Sequence, residues 1–193
     1  RTEGLGRPRQ GSNNPNRIMS LIYNVPRTTN LDLLENNLTN ETGQTIGLDG
    51  NRTVNNVYYV LENNPFNNYV DRMYGSAQAE WDVTSWLNIL GRAGTDFFRD
   101  NRRNIVSKGT INLNTGQFED RSIYRRENNF DLIATTNFEL SSDLSMTAFG
   151  GFNVNQIEDE RTRLLASDLV VSGLYNPANA LSTNNQREER LRR

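Results

Sequence analysis

Along residues 73–98 apolar and polar positions alternate with a period of two. Gly75, Ala77, Ala79 and Trp81 fall on one side, and Ser76, Gln78, Glu80 and Asp82 on the other. After a polar break at 82–85 the alternation resumes, with Leu87, Ile89, Gly91, Ala93 and Phe97 opposed to Asn88, Arg92 and Asp96. Successive side chains of a strand point to opposite faces, so this pattern predicts a β-hairpin with one apolar and one charged face. Residues 129–155 repeat it. Phe130, Leu132, Ala134, Thr136, Phe138 and Leu140 oppose Asp131, Thr135, Asn137 and Glu139. Ser141, Ser142 and Asp143 make the turn, and the return arm sets Leu144, Met146, Ala148, Gly150, Phe152 and Val154 against Ser145, Thr147, Asn153 and Asn155. Leu90, Ile133 and Phe149 break the parity, as do the small Gly94 and Gly151.

Each arm is about ten residues, the length that a tilted transmembrane β-strand requires. Both tight turns lie at one end of the strands, whereas the connection at 99–127 and the flanking segments are long. Short turns at one end and long loops at the other is the habit of outer-membrane barrels, with turns periplasmic and loops outside the cell. Trp81 and Trp86 flank the first turn, where an interfacial aromatic girdle would sit; core aromatics of a soluble sandwich are the plainer alternative.

The remaining segments read as connections. Residues 1–14 are rich in Gly, Arg and Asn and predict a loop. Its Gly4-Leu5-Gly6 lacks the preceding strand and the Lys-Ser/Thr pair of a phosphate loop. Asn14-Pro15 is a helix-start signal ahead of Ile18, Leu21 and Ile22, and Pro26 ends that helix. Asn30 caps a second short helix at 31–36. The stretch 37–68 is polar apart from 57–61 (VYYVL), with a turn at Asp49-Gly50. Sequons begin at Asn37, Asn40 and Asn51, as is common in any chain rich in Asn and Thr. Within the long connection, 105–113 and 118–124 predict a small hairpin around Asn114-Thr115-Gly116. Its charged flanks, 99–103 (RDNRR) and 124–129 (YRRENN), suit a solvated extension, as does 158–163 (EDERTR). Residues 164–175 add an apolar piece ending at Asn176-Pro177.

Composition narrows the chemistry. The formal net charge of -2 makes no electrostatic case for nucleic acid. With no cysteine and no histidine, disulfides, zinc–thiolate sites and most catalytic triads are excluded. A mean hydropathy of -0.73 and the lack of a long apolar run exclude a transmembrane helix but not a barrel, half of whose strand positions face water. Roughly one residue in seven is asparagine, mostly between the periodic segments, as turn chemistry expects. Glu80 with Asp82, and Asp131 with Glu139, are the carboxylate pairs that could do acid–base work, but polar side chains facing a wet lumen account for them. The 158–163 acids lack the alternation and central Gly of a calcium loop. No catalytic, cofactor or metal residues are assigned, so an enzyme is not expected.

Residues 63–98 (NNPFNNYVDRMYGSAQAEWDVTSWLNILGRAGTDFF), 108–118 (KGTINLNTGQF), 125–153 (RRENNFDLIATTNFELSSDLSMTAFGGFN) and 169–180 (LVVSGLYNPANA) occur in that order. Their succession resembles the barrel of SusC/RagA-type TonB-linked outer-membrane proteins, and 13–37 (NNPNRIMSLIYNVPRTTNLDLLENN) resembles a short helical extracellular segment of the same barrels. The resemblance implies an all-β fold, an antiparallel transmembrane barrel of about 22 strands with a plugged lumen. It also implies a SusD-like lipoprotein lid, energy from TonB through a segment not present here, and import of glycans or oligopeptides.

The organisation expected is a partial barrel over 1–193, cut from a longer transporter, without plug or signal peptide. Residues 73–98 and 129–156 are transmembrane hairpins in the outer membrane; 1–72, 99–128 and 157–193 are extracellular loop regions, the first with some strand. Substrate-contacting residues cannot be named from the sequence. A soluble all-β carbohydrate-binding or adhesion module is the rival; it would cover both faces of its strands and need not sort its loops by length.

Overall fold

The computed structural model describes residues 2–5, 18–23, 25–47 and 54–192. Five long strands form one antiparallel meander: β2 (Phe66–Thr84), β3 (Leu87–Val106), β4 (Gln117–Ser141), β5 (Leu144–Leu169) and β6 (Ala180–Arg192). A short strand, β1 (Thr2–Leu5), lies along the free edge of β2. The order is sequential, β1 to β6, and the sheet is open among the described residues. Helices α1 (Ile18–Tyr23), α2 (Leu31–Asn36) and α3 (Val57–Asn63) precede β2. Two-residue turns, at 85–86 and 142–143, close one end of the sheet, whereas ten-residue loops, 107–116 and 170–179, close the other.

Both predicted hairpins are present, but their strands run 19 to 26 residues, about twice the amphipathic stretch. The long connection is therefore mostly strand. Residues 99–106 continue β3 and 117–128 begin β4, so of the small hairpin expected at 105–113 and 118–124 the second arm is strand, whereas 107–113 belong to the ten-residue loop. Strand β6, and β1 within a stretch expected to be loop, were not foreseen, since neither carries an apolar face. Asp168 has a left-handed backbone (φ 59) at the point where the β5–β6 pairing skips from Ser167 to Leu169.

Register ties the hairpins together. Trp81 lies opposite Ile89, Ile89 opposite Ala134, and Ala134 opposite Gly150. The next like-facing rungs are Ala79, Gly91, Leu132 and Phe152, then Ala77, Ala93, Phe130 and Val154. Pleat alternation then places the two predicted apolar faces on one side of a four-stranded surface. Glu80, Asn88, Thr135 and Asn153 share the other side with the parity-breaking Leu90, Ile133 and Phe149. Gly151 sits opposite Ile133, and a Cβ there would approach Ile133 Cγ1 to 3.3 Å, so a small residue accommodates the misplaced isoleucine.

The loop end is where the chain buries side chains. Ile105, Phe118, Ala166 and Leu169 form one cluster, against which Leu164, Tyr175 and Ala180 pack. Leu21, Val57, Tyr59 and Val60 form a second, inside the helical segment. That segment is fastened to the 107–116 loop by polar contacts. Asn64 Oδ1 accepts from the Ser107 amide (2.8 Å), Asn55 Oδ1 accepts from the Ile111 amide (2.8 Å), and Tyr59 donates to the Lys108 carbonyl (2.7 Å). Gly109 (φ +89) passes so close to Gly43 that a Cβ would collide with the Gly43 carbonyl oxygen.

Capping explains the helices. Asn30 Oδ1 accepts from the Asp32 amide (3.0 Å), as expected for α2, and α1 ends three residues before Pro26. The start signal at Asn14-Pro15 and the Asp49-Gly50 turn lie outside the described residues. The VYYVL piece is α3, which its β-branched and aromatic content hides; its cap, Asn56, is fully buried. Asn56 Oδ1 accepts from the Tyr58 amide (3.0 Å) while Nδ2 donates to the Leu34 carbonyl (2.8 Å). Asn56→Ala removes a cap and strands a buried carbonyl, a cost of about 2–3 kcal/mol. Hydrogen exchange should speed up in α2 and α3 and stay slow along the β3–β4 ladder; unchanged exchange in α3 would refute this role.

Candidate functional site

The sheet has two halves of different chemistry. In the turn-end half both faces are open to solvent. Trp81, Leu132, Met146 and Phe152 on the apolar side are 67%, 44%, 45% and 62% exposed. Trp86 stacks on Phe138 with ring centroids 5.6 Å apart, which joins the two hairpins beside their turns. The opposite side is a hydrogen-bonded polar ladder. Asn88 Nδ2 donates to Glu80 (2.9 Å) and Asp82 (2.7 Å), and Thr147 donates to Asn137 (2.8 Å). Asn153 Nδ2 donates to Asn129 (2.8 Å) and Asp131 (2.6 Å).

These contacts decide the carboxylate pairs weighed from the sequence. Glu80 and Asp82 are brought together, but by a shared amide on an exposed surface, a positioning and not an acid–base arrangement. Asp131 and Glu139 are not brought together: eight residues of β4 separate them, about 27 Å. The acids of 158–163 are taken up singly by arginines, Glu158 by Arg126 (2.7 Å), Asp159 by Arg161 (2.9 Å) and Glu160 by Arg187 (3.2 Å). Among the described residues no group of acidic side chains converges in a way that could hold a metal ion.

In the loop-end half charge is dense on both sides. On the side continuous with the apolar band, Arg103 grips Asp120 through two hydrogen bonds of 2.6 Å and lies over the Phe118 ring. A cleft of about 850 Å³ opens there, with Tyr69, Asn101, Thr162 and Arg187 among its walls. On the polar side, register aligns three arginines that the sequence spreads over sixty residues. Arg102 is opposite Arg121, and Arg121 is opposite Arg163. Like charges directly opposed across strands repel, so the row needs counter-charge. Asp100, 6% exposed, takes Arg102 through Nε (3.0 Å) and Nη2 (2.5 Å). Glu119 is shared: its Oε1 meets Arg121 Nε and its Oε2 accepts from Arg163 Nη2 (2.7 Å).

Burial, the largest single influence on the Glu119 carboxyl, pushes its pKa up. Hydrogen bonds and positive charge from Arg163 and Arg121 together outweigh that and hold it below the ordinary value. Sequence reasoning placed Arg102 and Arg163 in solvated charged stretches and Arg121 in the return arm of a small hairpin, and brought none of them together.

No protein-family model matches the chain, and no curated protein matches it either.

Glu119→Gln leaves Arg121 and Arg163 facing each other without a counter-charge. Breaking a fully buried pair costs about 3–5 kcal/mol. With these arginines 34% and 35% exposed, about 1–2 kcal/mol is expected here. Because the folded-state pKa is depressed, the stabilisation is complete above the unfolded-state carboxylate range and is lost as pH falls through the folded value. Urea unfolding in detergent micelles should show the wild-type advantage at about pH 7 and lose it by about pH 2. A gap that persists unchanged at the acid end would rule out ionic pairing as its source.

Proposed function

We propose that this chain is part of the barrel wall of a SusC/RagA-type, TonB-dependent outer-membrane importer. It would work with a SusD-like surface lipoprotein and take up a glycan or oligopeptide. The observation that carries the reading is the exposed apolar band, continuous over four strands and backed by a hydrogen-bonded polar face. Water is the wrong solvent for such a band and lipid the right one.

The dimensions agree. Phe130 to Phe138 is eight steps of about 3.3 Å, and at a tilt near 40° the rise is about 20 Å, close to the apolar height of an outer-membrane barrel. Above it the same face turns polar at the rung Thr95, Asn128 and Gln156, and then charged at Arg126 and Glu158. At its turn end Trp86 stacks on Phe138, where an interfacial girdle would sit. The two-residue turns would then be periplasmic, and the ten-residue loops with the docked helices would face outside, within reach of a lid. Among the described residues the outer edges of β1 and β6 carry no further strand, and they would offer backbone groups to the neighbouring strands that a closed wall requires. A soluble binding module would cover both faces of its strands, and in the turn-end half neither is covered among the described residues.

Ala134 is placed on the apolar face and Thr135 on the polar face, near mid-band. Ala134→Lys should destabilise the protein folded in bilayers by about 2–4 kcal/mol, and Thr135→Lys by much less. Equal penalties would contradict a lipid-facing band. Topology is tested separately. Thr115 and Ser142 are both exposed, one in the long loop and one in the tight turn, and the chain has no native cysteine. On intact cells an impermeant thiol reagent should label Thr115→Cys and spare Ser142→Cys. Labelling of 142 alone would invert the topology, and equal labelling of both in a soluble fraction would end the importer reading.

A further inference from the structure

The arginine row contains a gap that none of the described carboxylates bridges. Neighbouring strands are about 4.8 Å apart, so one carboxylate can bridge two guanidiniums on adjacent strands. Glu119 does this between Arg121 and Arg163. Among the described residues the equivalent gap, between Arg102 and Arg121, has no such bridge: Asp100 engages Arg102 alone. Three arginines therefore share two carboxylates. The nearby charges do not cancel the surplus, because Arg161 is held by Asp159 and Glu188 lies 3.9 Å from Arg190. Among the described residues Arg163 Nε is buried without a partner, while the side chains of Arg102, Arg121 and Arg163 are each about a third exposed (37%, 34% and 35%), which leaves the row open to a ligand. Asn68 and Gln186 extend the row on its two sides with amides.

We propose that the gap between Arg102 and Arg121 binds a carboxylate of an acidic oligomeric ligand, either a uronic-acid oligosaccharide or an acidic oligopeptide. The inference rests on the importer reading for the idea that a ligand passes this face. It adds the ligand's charge. The row stands on the polar side, beyond the apolar band toward the long loops, which is where an incoming ligand would meet the wall first. The bond formed is a charge-assisted, two-sided hydrogen bond of the kind Glu119 already makes, and no covalent step is involved. The three arginines are binding residues, and Asp100 and Glu119 position them.

The test uses the full-length protein that carries this segment, purified in detergent micelles, so that membrane location does not enter. Binding is measured by calorimetry at about 0.15 M salt, where distant surface charges are screened. The probes are a trigalacturonate, its methyl ester and triglutamate. The free acid, or triglutamate, should bind, and the ester should bind at least tenfold more weakly. Arg102→Gln and Arg121→Gln should each weaken the acidic probe by about tenfold or more, in line with the loss of a charge-assisted bond. Arg126→Gln, an equal charge change on the opposite side, should leave it unaltered; circular dichroism establishes that each variant is folded. The two acidic probes distinguish glycan from peptide. Equal binding of acid and ester, equal weakening by Arg126→Gln, or no weakening by either row variant would overturn the proposal. Failure of the thiol-labelling pattern with acid-selective binding intact would remove the importer reading and leave the carboxylate seat standing.

Discussion

Strand register is the constraint on which everything else in this protein depends. Because side chains alternate with period two, a one-residue slip between β3 and β4 would send every apolar residue of one hairpin to the polar face of the other. No slip occurs along the long ladders. Pairing irregularities are confined to the ends of the strands, beside the tight turns at Asp82/Thr84 and Glu139/Ser141 and at Asp168. The β3–β4 pairing runs unbroken from Leu87–Thr136 to Val106–Gln117. What sets it is the loop end, where the 107–116 turn is held by Asn55, Tyr59 and Asn64 from the helical segment. A small, well-packed cap thus fixes the phase of a sheet whose other half buries little.

The same register governs the electrostatics. Opposed across strands, Arg103 and Asp120 attract, whereas Arg102, Arg121 and Arg163 repel and are neutralised by Asp100 and Glu119, each two residues along its own strand from an arginine, with Glu119 also reaching Arg163 diagonally. Cross-strand pairs on one side and carboxylate bridges on the other add order to the loop-end half beside its small apolar cluster. Exposed ion pairs contribute little each. Their value here is geometric: they line up guanidiniums at strand spacing on a face that polar side chains already occupy.

The halves also divide the labour of folding. Ile105, Phe118, Ala166 and Leu169 bury apolar surface at the loop end, next to the Phe118–Tyr175 edge-to-face contact at 6.3 Å. In the turn-end half, Leu132, Phe152 and their like-facing neighbours stay exposed.

The sequence by itself determined the local elements. Alternation marked both hairpins and their faces, Asn30 marked the α2 cap, and the clustering of tight turns at one end was legible from spacing alone. It did not disclose the full reach of the upper strands, β6, α3 or the arginine row, each for a physical reason. Residues 99–106, 117–128 and 180–192 are mostly polar or charged, so the alternation that marks an apolar face is weak or absent there. VYYVL has strand-like residues and becomes helix because Asn56 caps it and Leu21 packs on it. The arginines lie nineteen and forty-two residues apart along the chain, and no spacing rule links positions so far apart. Only pairing of β3 with β4 and of β4 with β5 decided that they meet, and that both apolar faces form one surface, because hydrogen-bond register is a property of strand pairs and of the loops that fasten them.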